Sequence, residues 1–230
     1  MTPDPLFSFQ LPRGLLKAMA LFQHEERAPI ACASFEIRQT GNRHEITIVS
    51  TDGRRLATYQ TEISQDTLWG VLPDHAQITV DLSGCARLPK VEGETGDLVT
   101  VEVFERHVEF AAGAIRYTAR RLESGDGSVQ FPNWRGVIPT RPPESVTQIA
   151  VNHELLADFG RAAKWIMPED SSIALRTFGD GQPIAIILPA HREFFGILMP
   201  LKFADPATVP EWLRDMTASK STATPAKEAA

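Results

Sequence analysis

Side chains able to do chemistry are scattered along this chain rather than grouped. None of the six histidines stands at a spacing typical of paired metal ligands, and the two cysteines, Cys32 and Cys85, form no C-x-x-C pair. The sequence holds no G-x-x-x-x-G-K-S/T phosphate loop, no G-x-S-x-G nucleophile elbow and no H-E-x-x-H zinc motif. We therefore expect no enzyme activity, no metal and no cofactor, and we expect both cysteines to be reduced core thiols.

The distribution of charge is more informative than the total. The chain carries 23 Lys and Arg against 29 Asp and Glu, a net charge of −6. This balance excludes a protein coated in positive charge, but not nucleic acid, because a local basic stripe acts within a Debye length of about 10 Å. Cations recur on the polar side of three amphipathic segments: Arg13, Lys17 and His24 on the first, Arg87 and Lys90 on the second, and Arg161 and Lys164 on the third.

Two interpretations of these cations stay open. They fit solvated helix faces, because the outer face of an amphipathic helix is ordinarily charged. They also fit a surface that follows nucleic-acid phosphates without reading base sequence. Their spacing does not choose between the two.

The elements that must position these cations form an internal repeat. A strand-like run followed by an amphipathic helix starts near Phe7, Gln77 and Thr147, so the copies lie about 70 residues apart. Each helix is followed by three runs of β-type alternation, separated by turn residues such as Asp52-Gly53. The pattern predicts an α+β protein with three copies of a strand-helix-strand-strand-strand unit and antiparallel sheets.

The repeat also predicts where the helices begin and end. Asn152 is a typical N-cap, and the apolar residues Leu155, Leu156 and Phe159 follow it at helical spacing. The predicted helices span residues 11–24, 82–90 and 152–166.

The sequence shows neither a membrane-spanning stretch nor a secretory signal. The longest apolar stretch, residues 184–190, is far too short to span a bilayer, and the first ten residues lack the features of a secretory signal. We expect a cytoplasmic protein.

Three short strings carry a resemblance to a known family. They are TDGRRL at residues 51–56, FPNWRGVIP at 131–139 and ILMPLKF at 197–203. Together they resemble the bacterial sliding clamp, the β subunit of DNA polymerase III. Members carry T-D-G-H/R-R-L in the middle domain, F-P-D-Y-R-x-V-x-P at the entry to the last domain, and M-P-M/I-R/K-L/I at the end. The resemblance covers roughly residues 7–203 and implies the DNA-clamp fold.

In that family the three strings converge on a hydrophobic pocket that takes short peptides from polymerases, the clamp loader and repair proteins. The resemblance implies that apolar side chains form the pocket walls here, and that Arg54 and Arg55 meet polar or acidic parts of the peptide. Carried over position by position, the peptide-binding pocket consists of Ile30, Thr51, Gly53, Arg54, Arg55, Leu56, Pro132, Val137, Ile197, Met199, Pro200 and Leu201.

The sequence departs from the family in its length. Family members have six units per chain, and this pattern has three. Residues 7–140 resemble the middle domain, and residues 146–203 resemble the second half of the last domain. Residues 204–230 are small and polar, so they are predicted to be a disordered tail.

The resemblance implies a DNA sliding clamp, or processivity factor: a homo-oligomer that encircles duplex DNA regardless of sequence and tethers polymerase or repair proteins. Clamps of this architecture line their hole with twelve helices, so three helices per chain favour a tetramer. The missing units favour an alternative, a non-encircling adaptor or decoy that binds clamp-interacting peptides without forming a ring.

Overall fold

The first unit follows the predicted order of elements. The computed structural model describes residues 4–24, 30–90, 97–122, 130–170 and 172–202. Alternating apolar and polar residues place one face of each strand in the core. The unit comprises β1 (Phe7–Pro12), α1 (Arg13–Ala20), β2 (Ala33–Thr40), β3 (Arg43–Thr51) and β4 (Arg55–Glu62).

The second unit repeats this order after a short connecting strand, β5 (Trp69–Gly70). A 3₁₀-helix takes the place of the α-helix. The unit comprises β6 (His75–Val80), the 3₁₀-helix Ser83–Arg87, β7 (Leu98–Val103), β8 (His107–Ala112) and β9 (Ile115–Leu122).

The third unit is reached through a 3₁₀-helix, Trp134–Val137. The side chain of Asn152 accepts hydrogen bonds from the backbone N–H groups of Glu154 and Leu155, as an N-cap should. The unit comprises α2 (His153–Ile166), β10 (Ala174–Arg176), β11 (Ile184–Leu188) and β12 (His191–Leu198).

Three sequence-based expectations need correction. The helix predicted over 82–90 is only the five-residue 3₁₀-helix, because Leu88 is extended (φ −61°, ψ 133°) ahead of Pro89. The first helix is eight residues long rather than spanning 11–24. No regular strand precedes α2 between residues 147 and 151. The predicted tail, 204–230, lies outside the described residues.

The strands form one sheet in the order β10-β11-β12-β4-β3-β2-β6-β9-β8-β7-β1-β5, with antiparallel neighbours. Units one and two exchange their first strands: β1 pairs with β7, and β6 pairs with β2. The two units are therefore interlocked, and an approximate two-fold axis relates them. Unit three joins them through β12, which pairs with β4.

The core lies under the sheet and between the helices. The rings of Phe22, Phe159 and Phe194, which come from units one and three, pack in tilted and edge-to-face arrangements with centroids 4.8–6.5 Å apart. The two α-helices touch at Gly14, where an added Cβ would lie 2.1 Å from the carbonyl oxygen of Trp165. Within the described residues no helix is long and apolar enough to cross a membrane.

Candidate functional site

The first and third strings lie side by side at the junction of β4 and β12. Leu56 stands opposite Ile197 in the register, and the pairing continues past the strand end, where the N–H of Met199 donates to the carbonyl oxygen of Arg54 at 2.9 Å. Beyond it, the N–H of Leu201 donates to the carbonyl oxygen of Ala150 at 2.9 Å. Backbone hydrogen bonds thus fix the third string between units one and three.

A small apolar cluster brings in the second string. Leu56 and Ile197 pack in it with Phe131, which begins that string, and Trp134 packs against the cluster. Leu56 and Ile197 are almost fully buried. The three strings that are far apart in sequence therefore share one packing site.

The second and third strings also carry exposed apolar side chains, which are not part of the buried cluster. Val137 is 45% exposed, Met199 41% and Leu201 52%. Exposed apolar residues that stand singly are common on protein surfaces. Pro132 is also exposed and Pro200 half-buried.

The turn of the first string is held by its own side chains. The Asp52 carboxylate accepts hydrogen bonds from the backbone N–H groups of Arg54 (2.8 Å) and Arg55 (3.0 Å). The buried Thr51 hydroxyl donates to the carbonyl oxygen of Arg55 at 2.6 Å. Gly53 has φ +86°, which favours glycine, and an added Cβ there would contact the buried Ile30 at 3.7 Å. Arg54 is left exposed at the tip of a rigid turn.

Arg55 does not share that exposure, which corrects the expectation that both arginines meet a peptide. Its side chain is 7% exposed, and its Nε lies 2.9 Å from the Asp52 carboxylate. Another nitrogen pairs with Asp158 of α2, and a third donates to the carbonyl oxygen of Leu21 at 2.8 Å. Arg55 therefore ties unit one to unit three.

The second string is anchored by a residue that the sequence analysis did not single out. Glu36 of β2 accepts hydrogen bonds from Trp134 Nε1 (2.8 Å) and from Arg135 (2.5 Å), and the guanidinium lies 4.1 Å from the Trp134 ring centroid. Burial alone would raise the pKa of Glu36, but these hydrogen bonds and the charges of Arg135 and Arg38 outweigh it and lower the pKa. An acidic residue between Phe35 and Ile37 in an apolar strand was the only sequence signal.

The expected pocket residues do not line one cavity. Gly53, Arg54 and Arg55 border a depression of about 700 Å³ shared with His24 and Arg161. Pro200 and Leu201 border another, of about 480 Å³. A larger groove, about 1030 Å³, runs across the outer sheet face beside Trp134 and includes none of the expected residues.

The expected DNA-facing cations come from neighbouring helices. Arg13 of α1 donates to the carbonyl oxygen of Leu88 beside the 3₁₀-helix (3.4 Å), and the Lys17 ammonium lies 4.1 Å from the ring centroid of Trp165 on α2. The 3₁₀-helix, α1 and α2 therefore lie side by side.

Not all of these cations are equally available. Arg13 is held by Asp97 at 2.9 Å, and Arg161 pairs with Asp158. Exposed cations without a side-chain partner among the described residues are Arg87, Lys90 and Lys164.

The cysteines are free and buried. Burial, with a smaller contribution from the charge of Asp81, raises the pKa of Cys32 to about 11, and the same causes raise the pKa of Cys85. Both thiols are therefore protonated and unreactive at neutral pH. Across the part of the chain that the structure describes, no group of three or more His, Cys, Asp or Glu could hold a metal ion.

Comparison with known proteins identifies the fold. No family model matches the sequence, and no curated protein matches it. The chain has the fold of the bacterial sliding clamps, which supply its structural neighbours.

Three of these neighbours illustrate the likeness. The sliding clamp of Bacillus subtilis is 14% identical with a TM-score of 0.60, over 88% of this chain and 67% of the clamp. The Helicobacter pylori clamp bound to a DNA ligase peptide is 12% identical with a TM-score of 0.64, over 88% and 68%. The C. crescentus β sliding clamp is 15% identical with a TM-score of 0.60, over 88% of this chain and 68% of the clamp.

Proposed function

We propose that this protein is a DNA sliding clamp. It binds duplex DNA regardless of sequence and tethers DNA polymerase, clamp-loader or repair proteins through a short peptide. The observation that carries the proposal is the meeting of the three strings: Leu56 lies opposite Ile197, and Phe131 packs on the same cluster. A clamp lowers no reaction barrier; it raises the effective concentration of its partner at DNA.

The peptide is held by exposed apolar side chains of the second and third strings. Val137, Met199 and Leu201 offer apolar contact, and methionine adapts to different partners because its side chain is flexible. Arg54 stands at the tip of the adjoining turn and is free to meet an acidic or polar group of the peptide. The H. pylori clamp structure, solved with a DNA ligase peptide, supports this class of partner.

DNA is held by the row of helices. Each of these neighbouring helices carries a cation: Arg87 on the 3₁₀-helix, Lys17 on α1 and Lys164 on α2. Weak attraction spread along the phosphates allows sliding without base recognition. With a 3₁₀-helix in the second position, the number of chains in a ring depends on units rather than α-helices. Three units per chain still favour a homotetrameric ring.

Calorimetry tests the peptide site. A peptide with a glutamine, spaced aliphatic residues and a terminal phenylalanine or leucine should bind with a micromolar Kd, about −8 kcal/mol. Met199→Ala with Leu201→Ala should weaken binding by about 1–3 kcal/mol through lost apolar contact. The matched control is Leu175→Ala, an exposed leucine on β10 outside the three strings, which should bind like the wild type. Absence of wild-type binding, or equal binding by the double variant, would refute the site.

A second candidate function is an adaptor or decoy that keeps the peptide site but does not encircle DNA. The ion pairs of Arg13 and Arg161 favour it, because they remove charge from the helix row. Retention on nicked circular DNA separates the two. A ring is retained on the circular DNA and is released when the DNA is cut to a linear form. Lys17→Glu with Lys164→Glu should weaken this retention. An adaptor binds peptide equally well but is never retained.

A further inference from the structure

The junction between β4 and β12 shows how this fold joins the final strands of two units. The outer edge of β4, from Arg55 to Tyr59, pairs antiparallel with Phe194–Leu198 of β12. On the helix side, α2 covers the start of β4 by pairing Asp158 with Arg55. Both the backbone edge and the surface beside it are thereby removed from water.

Strand β9 holds the equivalent place in unit two, but its outer edge is open. Residues Ile115–Arg120 pair with β8 on one side, and only Arg121 and Leu122 pair with β6 on the other. The N–H of Arg121 donates toward β8, to the carbonyl oxygen of Arg106 at 2.9 Å. Because donors alternate along an antiparallel strand, those of Arg116, Thr118 and Arg120 point away from β8. No strand among the described residues takes them.

The surface beside this edge is also uncovered. A cleft of about 320 Å³ lies between the 3₁₀-helix Ser83–Arg87 and the start of β9, lined by Leu88, Ile115 and Tyr117 among others. Ile115 is 53% exposed, whereas Ala57, which lies on the same helix-covered face of β4, is buried. An exposed apolar residue beside an unpaired strand edge is a surface that another strand can cover.

We propose that the β9 edge of a second copy of this chain covers this surface, with the two strands antiparallel about a two-fold axis. The β4–β12 junction already joins two final strands in this way. Among the described strands, the two at the ends of the sheet are short: β5 has two residues and β10 three. A second β9 edge is the partner that matches a six-residue edge in length, and self-pairing closes as a dimer.

Charge selects the register of this pair. A two-fold axis through Tyr117 places Arg116 opposite Thr118 and Ile115 opposite Ala119. The neighbouring register, with the axis through Thr118, would place Arg116 opposite Arg120, and like charges facing each other destabilise a strand pair. We therefore assign the axis to Tyr117.

This assembly goes beyond the proposed function and does not require the peptide site. It joins two chains through unit two and leaves the three strings of each chain exposed. In a ring, it makes the contacts alternate, with β9 meeting β9 and unit three meeting unit three.

Light scattering at tens of micromolar tests the interface. The wild type should have twice the 25.4 kDa chain mass, or four times that mass if the homotetrameric ring also closes. Thr118→Pro should give the single-chain mass, because proline removes an outward donor but none of the bonds to β8. Ile115→Lys should act in the same way and guards against misfolding of the proline variant. Leu175→Lys, on the β10 edge, is the matched control and should keep the dimer.

A tetramer that both β9 variants reduce to a dimer would also support the interface. A single-chain wild type, or β9 variants that keep the wild-type mass, would overturn it. Peptide affinity should be unchanged in all variants, so loss of the dimer and failure of the peptide site are separate results.

A disulfide tests the register. Opposite residues in a hydrogen-bonded antiparallel pair have Cα atoms about 5.5 Å apart, within disulfide range. Arg116→Cys with Thr118→Cys should therefore form a covalent dimer under mild oxidation, whereas each single variant should not. The buried Cys32 and Cys85 do not compete. A noncovalent dimer in which the double variant fails to cross-link would overturn the assigned register.

Discussion

Units one and two share one order of strands, but among the described residues only the first has a strand of unit three paired along the outer edge of its final strand. The turn before β4 carries Asp52 and Arg55, and Arg55 reaches across to Asp158 of α2. The turn before β9 is Gly113-Ala114, which has no side chain long enough to reach another unit. The ion pair of Arg55 with Asp158 is therefore a contact with unit three that the turn before β9 cannot make.

The largest expected change in the free energy of unfolding comes from removing the ion pair between Arg55 and Asp158. Arg55→Met should destabilise the chain by about 3–5 kcal/mol, because it removes the cation shared by Asp52 and the buried Asp158 and leaves Asp158 only its ion pair with the exposed Arg161. Denaturant unfolding measures the change. Arg54→Met, at the exposed neighbouring position, should stay within about 0.5 kcal/mol of the wild type. Equal effects of the two variants would mean that the turn does not secure unit three.

The helix contacts give the next effect. Gly14→Ala should cost about 1–3 kcal/mol, because the new Cβ meets the backbone of Trp165 at 2.1 Å and the two helices must separate. Gly84→Ala, in the 3₁₀-helix of unit two, meets the ring of the half-buried Tyr117 at 2.2 Å and should cost less because a ring can shift. Urea unfolding compares the two.

The matched control for both glycine variants is Gly160→Ala in α2. No atom lies within 4 Å of its added Cβ, so alanine should stabilise the helix by about 0.5–1 kcal/mol. A loss of stability there as large as that of Gly14→Ala would contradict the close-packed helix contact.

A smaller effect depends on pH. The folded-state pKa of Glu36 lies below its ordinary value of 4.5, so the folded chain binds fewer protons there than the unfolded chain. The stabilisation is complete above pH 4.5 and is lost as pH falls through the folded-state pKa. Denaturant unfolding followed by tryptophan fluorescence should show this loss in the wild type. Glu36→Gln should show a shallower fall with pH, and an unchanged slope would refute the anchor.

The smallest expected change in stability concerns the contact of Lys17 on α1 with Trp165 on α2. Lys17→Gln should cost about 0.5–1 kcal/mol of stability, because the ammonium of Lys17 loses its contact with the Trp165 ring. Lys164→Gln removes the same charge from a position without such a contact and should change stability less. Thermal unfolding distinguishes them. Equal shifts would show that the contact contributes nothing.

Local patterns predicted the elements whose formation is local. The alternation in β2, β3 and β4 and the N-cap at Asn152 were read correctly from sequence because they concern neighbouring residues. The second helix was wrong because amphipathic spacing over nine residues also fits a 3₁₀-helix, and Pro89 ends it. The strand predicted before α2 is absent for a different reason: alternating apolar residues form a strand only when another strand pairs with them, and the backbone contact of Ala150 is with Leu201, which lies beyond the end of β12.

The site was less accessible from sequence. No local pattern indicates that β4 pairs with β12, and only the family resemblance of the three strings predicts that they meet. The burial of Arg55 depends on Asp158, which lies 103 residues away. Glu36 was missed because its partners, Trp134 and Arg135, come from another unit. Contacts between distant residues are what the sequence could not supply.

The placement of β12 has a consequence for the order in which the chain folds. A hydrogen bond across the junction, from Thr58 to Phe195, links residues 137 positions apart, with all of unit two between them. Closing so long a loop costs chain entropy before the contact is gained, so this pairing should form late and slowly. During synthesis, β4 and the ring of Phe22 must wait for the last described strand to leave the ribosome. Until then, the outer edge of β4 is unpaired and the ring of Phe22 is uncovered, so the chain is most prone to aggregate at this stage of folding.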